Sequence, residues 1–108
     1  MFVFVNKFIL AKRFDGITLW PFVLVRRKEL KLDKVFMNHE SIHIRQQLEL
    51  LVIPFFIWYV FEYFLKFIQT QSTLEAYYKI SFEREAYANE NDFNYLAKRK
   101  FWAFLKYL

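Results

Sequence analysis

The stretch Val35–Leu51, "VFMNHESIHIRQQLELL", carries both histidines of the chain, His39 and His43, four residues apart. Glu40 directly follows the first. Asp33 stands just before it as an N-cap, and helix-compatible sequence continues to "LLVI" with no glycine or proline until Pro54. On a helix each residue turns ~100°, so the two imidazoles lie about 40° apart on one face. Both can reach a single ion. Glu40 lies ~100° round from His39, beside the ion's open side rather than in line with the ligands. Two histidines and a neighbouring non-ligand carboxylate are what a zinc hydrolase needs. The metal makes water acidic and Glu40 is placed as the general base. The competing reading is a helix with two partly exposed histidines and an i to i+3 Glu40–His43 pair. Chance placement of this pattern in a chain of this composition is on the order of one in a thousand.

A catalytic zinc takes three protein ligands as a rule and leaves a fourth position for water. The chain has no third histidine and no cysteine, so the third donor must be a carboxylate. Glu62, Glu75, Glu83, Glu85, Glu90 and Asp92 are the candidates, and the densest group is "SFEREAYANEND" on a separate predicted helix. Spacing alone does not choose among them.

Working outward, the first thirty residues read as strand. "NKFILAKRF" and "ITLWPFVLVRRKEL" are rich in β-branched and aromatic residues, and Asp15-Gly16 between them predicts a hairpin turn. Pro21 interrupts the second run, which places that strand at a sheet edge or on a bulge. Beyond Pro54 a second helical run, "FFIWYVFEYFLKFIQ", ends at the polar "TQST", the best loop of the second half. "LEAYYKI" is ambiguous. Ser81 then reads as an N-cap, with Glu83 in the first turn of a helix continuing through "FEREAYANENDFNYLAK". The tail "KRKFWAFLKYL" is either a last helix on the core or an amphipathic surface segment. No repeat, low-complexity tract or boundary divides the chain. Residues 1–108 read as a single α+β domain: an N-terminal β-hairpin or small antiparallel sheet, then a helical bundle carrying the histidine helix and a glutamate helix.

Composition bounds the function. Apolar residues make up 56% and aromatics 23%, more greasy surface than a chain of 108 residues easily buries. A membrane surface is therefore a possible partner beside a peptide or protein substrate. The net charge of +5 comes from scattered basic residues with no RNA-binding signature, which argues against nucleic acid. Absence of cysteine suits the cytoplasm, peripheral to the inner face of a membrane if the greasy surface is used. The start, "MFVFVNKFILAKRF", lacks the early positive charge and cleavage site of a signal peptide. The run at 50–61 is shorter than the ~18–20 residues of a span, and reads first as a buried helix. Trp20, Trp58 and Trp102 read as core or interfacial anchors. Gln46 falls on the histidine face, more simply a packing residue than part of a site.

With H-E-S-I-H at 39–43 and E-A-Y-A-N at 85–89, the chain resembles the gluzincin metallopeptidases. It is most similar to the minigluzincins and the catalytic core of the CAAX-prenyl-protease-like group. There the downstream helix reads E-x-x-A-D. The resemblance implies His39, His43 and Glu85 as zinc ligands and Glu40 as general base. It also implies Ala88 as the small residue where two helices meet, with Asn89 in place of the family's Asp supporting a ligating histidine. Glu83 remains the alternative ligand. It is two residues from Glu85, so only one of them faces the metal. The resemblance further implies a substrate peptide lying antiparallel to an edge strand near residues 19–25. The oxyanion donor is left open among Tyr77, Tyr78, Tyr87 and Arg84.

Overall fold

The computed structural model describes residues 2–5 and 16–108. A three-stranded sheet precedes five α-helices, an α+β architecture as expected. The strands are β1 (Phe2–Val5), β2 (Gly16–Leu19) and β3 (Phe22–Val25), in the order β1-β3-β2. β2 and β3 are antiparallel, with Leu19 opposite Phe22, but β1 runs parallel to β3, so the sheet is mixed rather than antiparallel. The hairpin differs from expectation too. The single run "ITLWPFVLV" folds back on itself, with Trp20 and Pro21 as the turn. Proline is tolerated there because a turn position owes the ladder no N–H. The expected strand at 6–14 and the Asp15 half of the expected turn lie outside the described residues. Gly16 opens β2 without a positive φ. Its missing side chain is explained by packing, since a Cβ there would collide with the Phe36 ring.

Helix α1 (Lys34–Glu49) begins where Asp33 accepts a hydrogen bond from the Phe36 N–H at 3.1 Å. It stops short of Pro54, and α2 (Ile53–Thr70) starts with that proline in its first turn, bent 112° from α1. Gln71 adopts the left-handed conformation that ends α2, and Ser72 caps α3 (Thr73–Lys79) by accepting from Glu75 N–H. Helix α4 (Ser81–Asn89) is shorter than predicted and is not capped by Ser81. Its cap comes from α2: the buried Glu62 carboxylate accepts from the Ser81 N–H at 2.7 Å and its hydroxyl at 2.6 Å. At the other end, Asn38 on α1 donates to the carbonyls of Asn89, Glu90 and Asp92, tying the terminus of α4 to the histidine helix. A short α5 (Tyr95–Lys98) and a 3-10 turn (Ala103–Tyr107) close the chain.

Two apolar clusters hold these pieces. Leu50, Phe55, Ile80, Phe82 and Phe104 form the larger, with Trp58, Tyr59 and Tyr63 against it. Phe104 is fully buried on Phe82, so the tail packs on the core. Val23, Val25 and Leu30 join the sheet to Phe36 and Ile44 of α1. No single helix among the described residues is long and apolar enough to cross a membrane.

Candidate metal centre

His39 and His43 are buried on the inner face of α1, one turn apart, which removes the reading of two exposed histidines. The first turn of α4 brings Glu83 between them. Glu83 Oε1 lies 3.2 Å from His39 Nε2 and 3.0 Å from His43 Nε2, and the two nitrogens are 3.2 Å apart. Among the described residues these three form one buried group able to hold a metal ion.

The surroundings decide what the converging atoms are. Gln46 uses its amide N–H to reach the Phe82 carbonyl at 3.1 Å and Glu85 Oε1 at 3.0 Å. Its oxygen therefore faces His43 Nδ1, 2.8 Å away, and that nitrogen must donate. His39 Nδ1 likewise faces the Glu90 carboxylate at 2.7 Å and donates to it. In the neutral rings both Nε2 atoms then carry lone pairs, aimed at each other and at a carboxylate oxygen. Three acceptors then converge with no proton to share, an arrangement that a bound cation would satisfy. The donor set, two imidazoles and one acid, fits a divalent metal with an open position. Without a metal the cluster draws a proton: burial opposes charging His43, but the Glu83 carboxylate outweighs it and pushes His43 up to about 9. Burial would raise Glu83, yet His43 and His39 hold its carboxyl far below the ordinary range. Tyr59 donates to the other Glu83 oxygen at 2.8 Å.

The expected ligand Glu85 is elsewhere. Two positions on along α4, it faces the opposite side, as helix geometry requires. There its fully buried carboxylate takes hydrogen bonds from Arg99, Tyr95 and Gln46. The ligand position that the resemblance implied is thus displaced by two residues, which puts Tyr87 where the E-x-x-A-D pattern has Asp. The acid that meets the histidines is Glu83, and the small residue three positions later is Ala86, fully buried, rather than the exposed Ala88. Asn89 does not support a histidine. Its amide donates to the Glu85 carbonyl and the Tyr107 hydroxyl, and the supporting acid is Glu90. Glu90 lies seven residues after Glu83, two turns along one helix face, a spacing visible in the sequence once Glu83 is chosen. Gln46, read first as packing, sets the tautomer of His43.

Glu40 is buried next to this group, and Thr18 of β2 donates to its Oε2. Glu40, His43 and Glu83 form the floor of a cavity of about 650 Å³ between β2, α2 and α3. Tyr77 lines it as well, with its hydroxyl 3.2 Å from that of Tyr87, whose ring packs on His39. Burial, and then the Glu83 charge, raise Tyr77, so its phenol stays protonated. Arg84 is not at the site; it binds the carbonyls of Tyr107 and Leu108. The expected peptide edge at 19–25 is also not free. β3 is the central strand, paired on both sides. On β2, the buried Gln47 amide accepts from Trp20 N–H at 2.6 Å and donates to the Thr18 carbonyl at 2.7 Å. The chain matches no protein-family model, no curated protein and no solved structure at a significant level, so the likeness to gluzincins rests on these residues alone.

Proposed function

We propose that this chain is a zinc-dependent metallopeptidase in which His39, His43 and Glu83 hold the ion and Glu40 is the general base. The observation that carries the proposal is the convergence of three lone-pair donors beside a fourth, non-ligand carboxylate at the floor of a cavity. Bound zinc supplies Lewis acidity toward a substrate carbonyl and toward water. Thr18 holds Glu40 Oε2, and the proton of the attacking water is taken on Oε1. The water oxygen bonds to the carbonyl carbon, the C–N bond breaks, and Glu40 returns the proton to the leaving nitrogen. Tyr77, protonated and lining the cavity, donates to the developing oxyanion. The orientation of the two imidazoles is kept by Glu90 and Gln46.

The test is peptide hydrolysis by purified protein with zinc content measured in parallel. Glu40→Gln is expected to keep its zinc and lose about 10²–10⁴-fold in kcat. A Glu40→Gln protein as active as wild type contradicts the assignment.

A second reading, compatible with the first, is attachment to a membrane surface from the cytoplasmic side. Its support is the outward face of α2, where Ile53, Ile57, Phe61, Phe64 and Ile68 are all more than 45% exposed. The only carboxylate of α2, Glu62, is turned inward to Ser81. Exposed apolar stripes of this length mark interaction surfaces.

A further inference from the structure

The cavity that holds Glu40, His43 and Glu83 is lined mostly by apolar surface, with the Tyr59, Tyr63 and Tyr77 side chains among its walls. Ile17 and Leu19 of β2, Phe56 and Val60 of α2 and Leu74 of α3 supply apolar lining. Its volume of about 650 Å³ lies within the range of small-ligand sites. That is room for roughly twenty waters, few of which find partners on such walls. Apolar groups that displace them gain affinity.

Backbone recognition is limited at the same place. β2 spends one edge on β3. At Thr18 and Trp20 the other edge is engaged by Gln47, which is 1% exposed and bonds to the Thr18 carbonyl and the Trp20 N–H. A peptide adding there as a strand would have to break both bonds of a buried amide. Resting on the peptidase reading above, we propose that the substrate is a peptide chosen by bulky apolar side chains seated in this cavity, with backbone pairing to β2 contributing little. The occupant is a peptide because two members of the candidate metal group, His43 and Glu83, line the cavity beside Glu40, where a bound ion would meet a substrate carbonyl.

The probes are fluorescently labelled pentapeptides centred on Phe-Leu, Gly-Gly or Asp-Ser, and a Phe-Leu peptide N-methylated at its central amides. Anisotropy is read on zinc-loaded Glu40→Gln protein, so that binding is measured without turnover. The Phe-Leu peptide is expected to bind at least tenfold tighter than the Gly-Gly or Asp-Ser peptides, since one buried large apolar side chain supports that ratio. The N-methylated form is expected to bind within about threefold of its parent. Val60→Trp and Leu74→Trp fill the cavity from half-exposed rim positions. Each should weaken Phe-Leu binding about tenfold while zinc content stays at the wild-type value. Equal affinity across the three sequences overturns the proposal, as does loss of binding on N-methylation. Phe-Leu binding without cleavage by wild type would sink the peptidase reading and leave the cavity's preference standing. Cleavage of all three peptides at equal rates would do the reverse.

Discussion

Gln46 carries no charge, yet which nitrogen His43 offers to the donor set depends on how its amide is turned. Phe82 and Glu85 take its N–H groups, so its oxygen meets His43 and the ring's Nδ1 must donate. Glu90 does the same for His39 with a full charge. Removing that charge by Glu90→Gln is expected to weaken zinc binding about 10–100-fold without abolishing it, measured by competition with a chelating dye. At this scale the sequence was partly legible. H-E-x-x-H names two candidate ligands and a candidate base because one helix turn fixes their relation. The choice between Glu83 and Glu85 was not legible. Both precede an alanine by three residues, and Arg99, fourteen positions beyond Glu85, engages one of them.

Helix α4 is held at both ends by other elements, and this explains what sequence misjudged. Its start is capped by Glu62 of α2 and its end by Asn38 of α1, contacts with no local signature. The second strand run was misjudged because Pro21 sits in a turn and not within a strand. The break just ahead of Pro54, the loop within 70–73, which narrows to Gln71 and Ser72, and the helical state of 34–49 follow from local chemistry, and those were legible. Behind α4, Arg99 joins Glu85 to Glu49 of α1 in a buried ion group, with side chains 0% and 5% exposed. Burial alone would raise the Glu85 carboxyl, but Arg99, Tyr95 and Gln46 hold it below its ordinary value of 4.5. A depressed acid stabilises the fold above its unfolded value, and that contribution is lost as pH falls through the folded one. Chemical denaturation is therefore expected to show stability falling below about pH 4.5, with a shallower fall in Glu85→Gln. Arg99→Ala at neutral pH should cost about 3–5 kcal/mol, because it strands two buried carboxylates.

Taken whole, the molecule buries its polar chemistry and exposes much of its grease. Glu40, His39, His43, Glu83 and Glu85 are inside, while an apolar stripe runs along α2, an 18-residue helix about 27 Å long. The run at 50–61 reads as a buried helix by sequence, yet only Phe55 within α2's share of it is fully enclosed, because α2 packs by one narrow face. If the stripe meets lipid, the protein should co-sediment with anionic vesicles. Ile57→Glu with Phe61→Glu should then release it, with the melting temperature changed by no more than about 4 °C. Retention of vesicle binding by that variant would contradict the membrane reading and leave the metal centre untouched. The centre itself is tested most directly by calorimetric titration of zinc into metal-free wild type, Glu83→Ala and Glu85→Gln. One ion per chain for wild type and Glu85→Gln, with none retained by Glu83→Ala, is the expected result. Full binding by Glu83→Ala, or none by wild type, would contradict it.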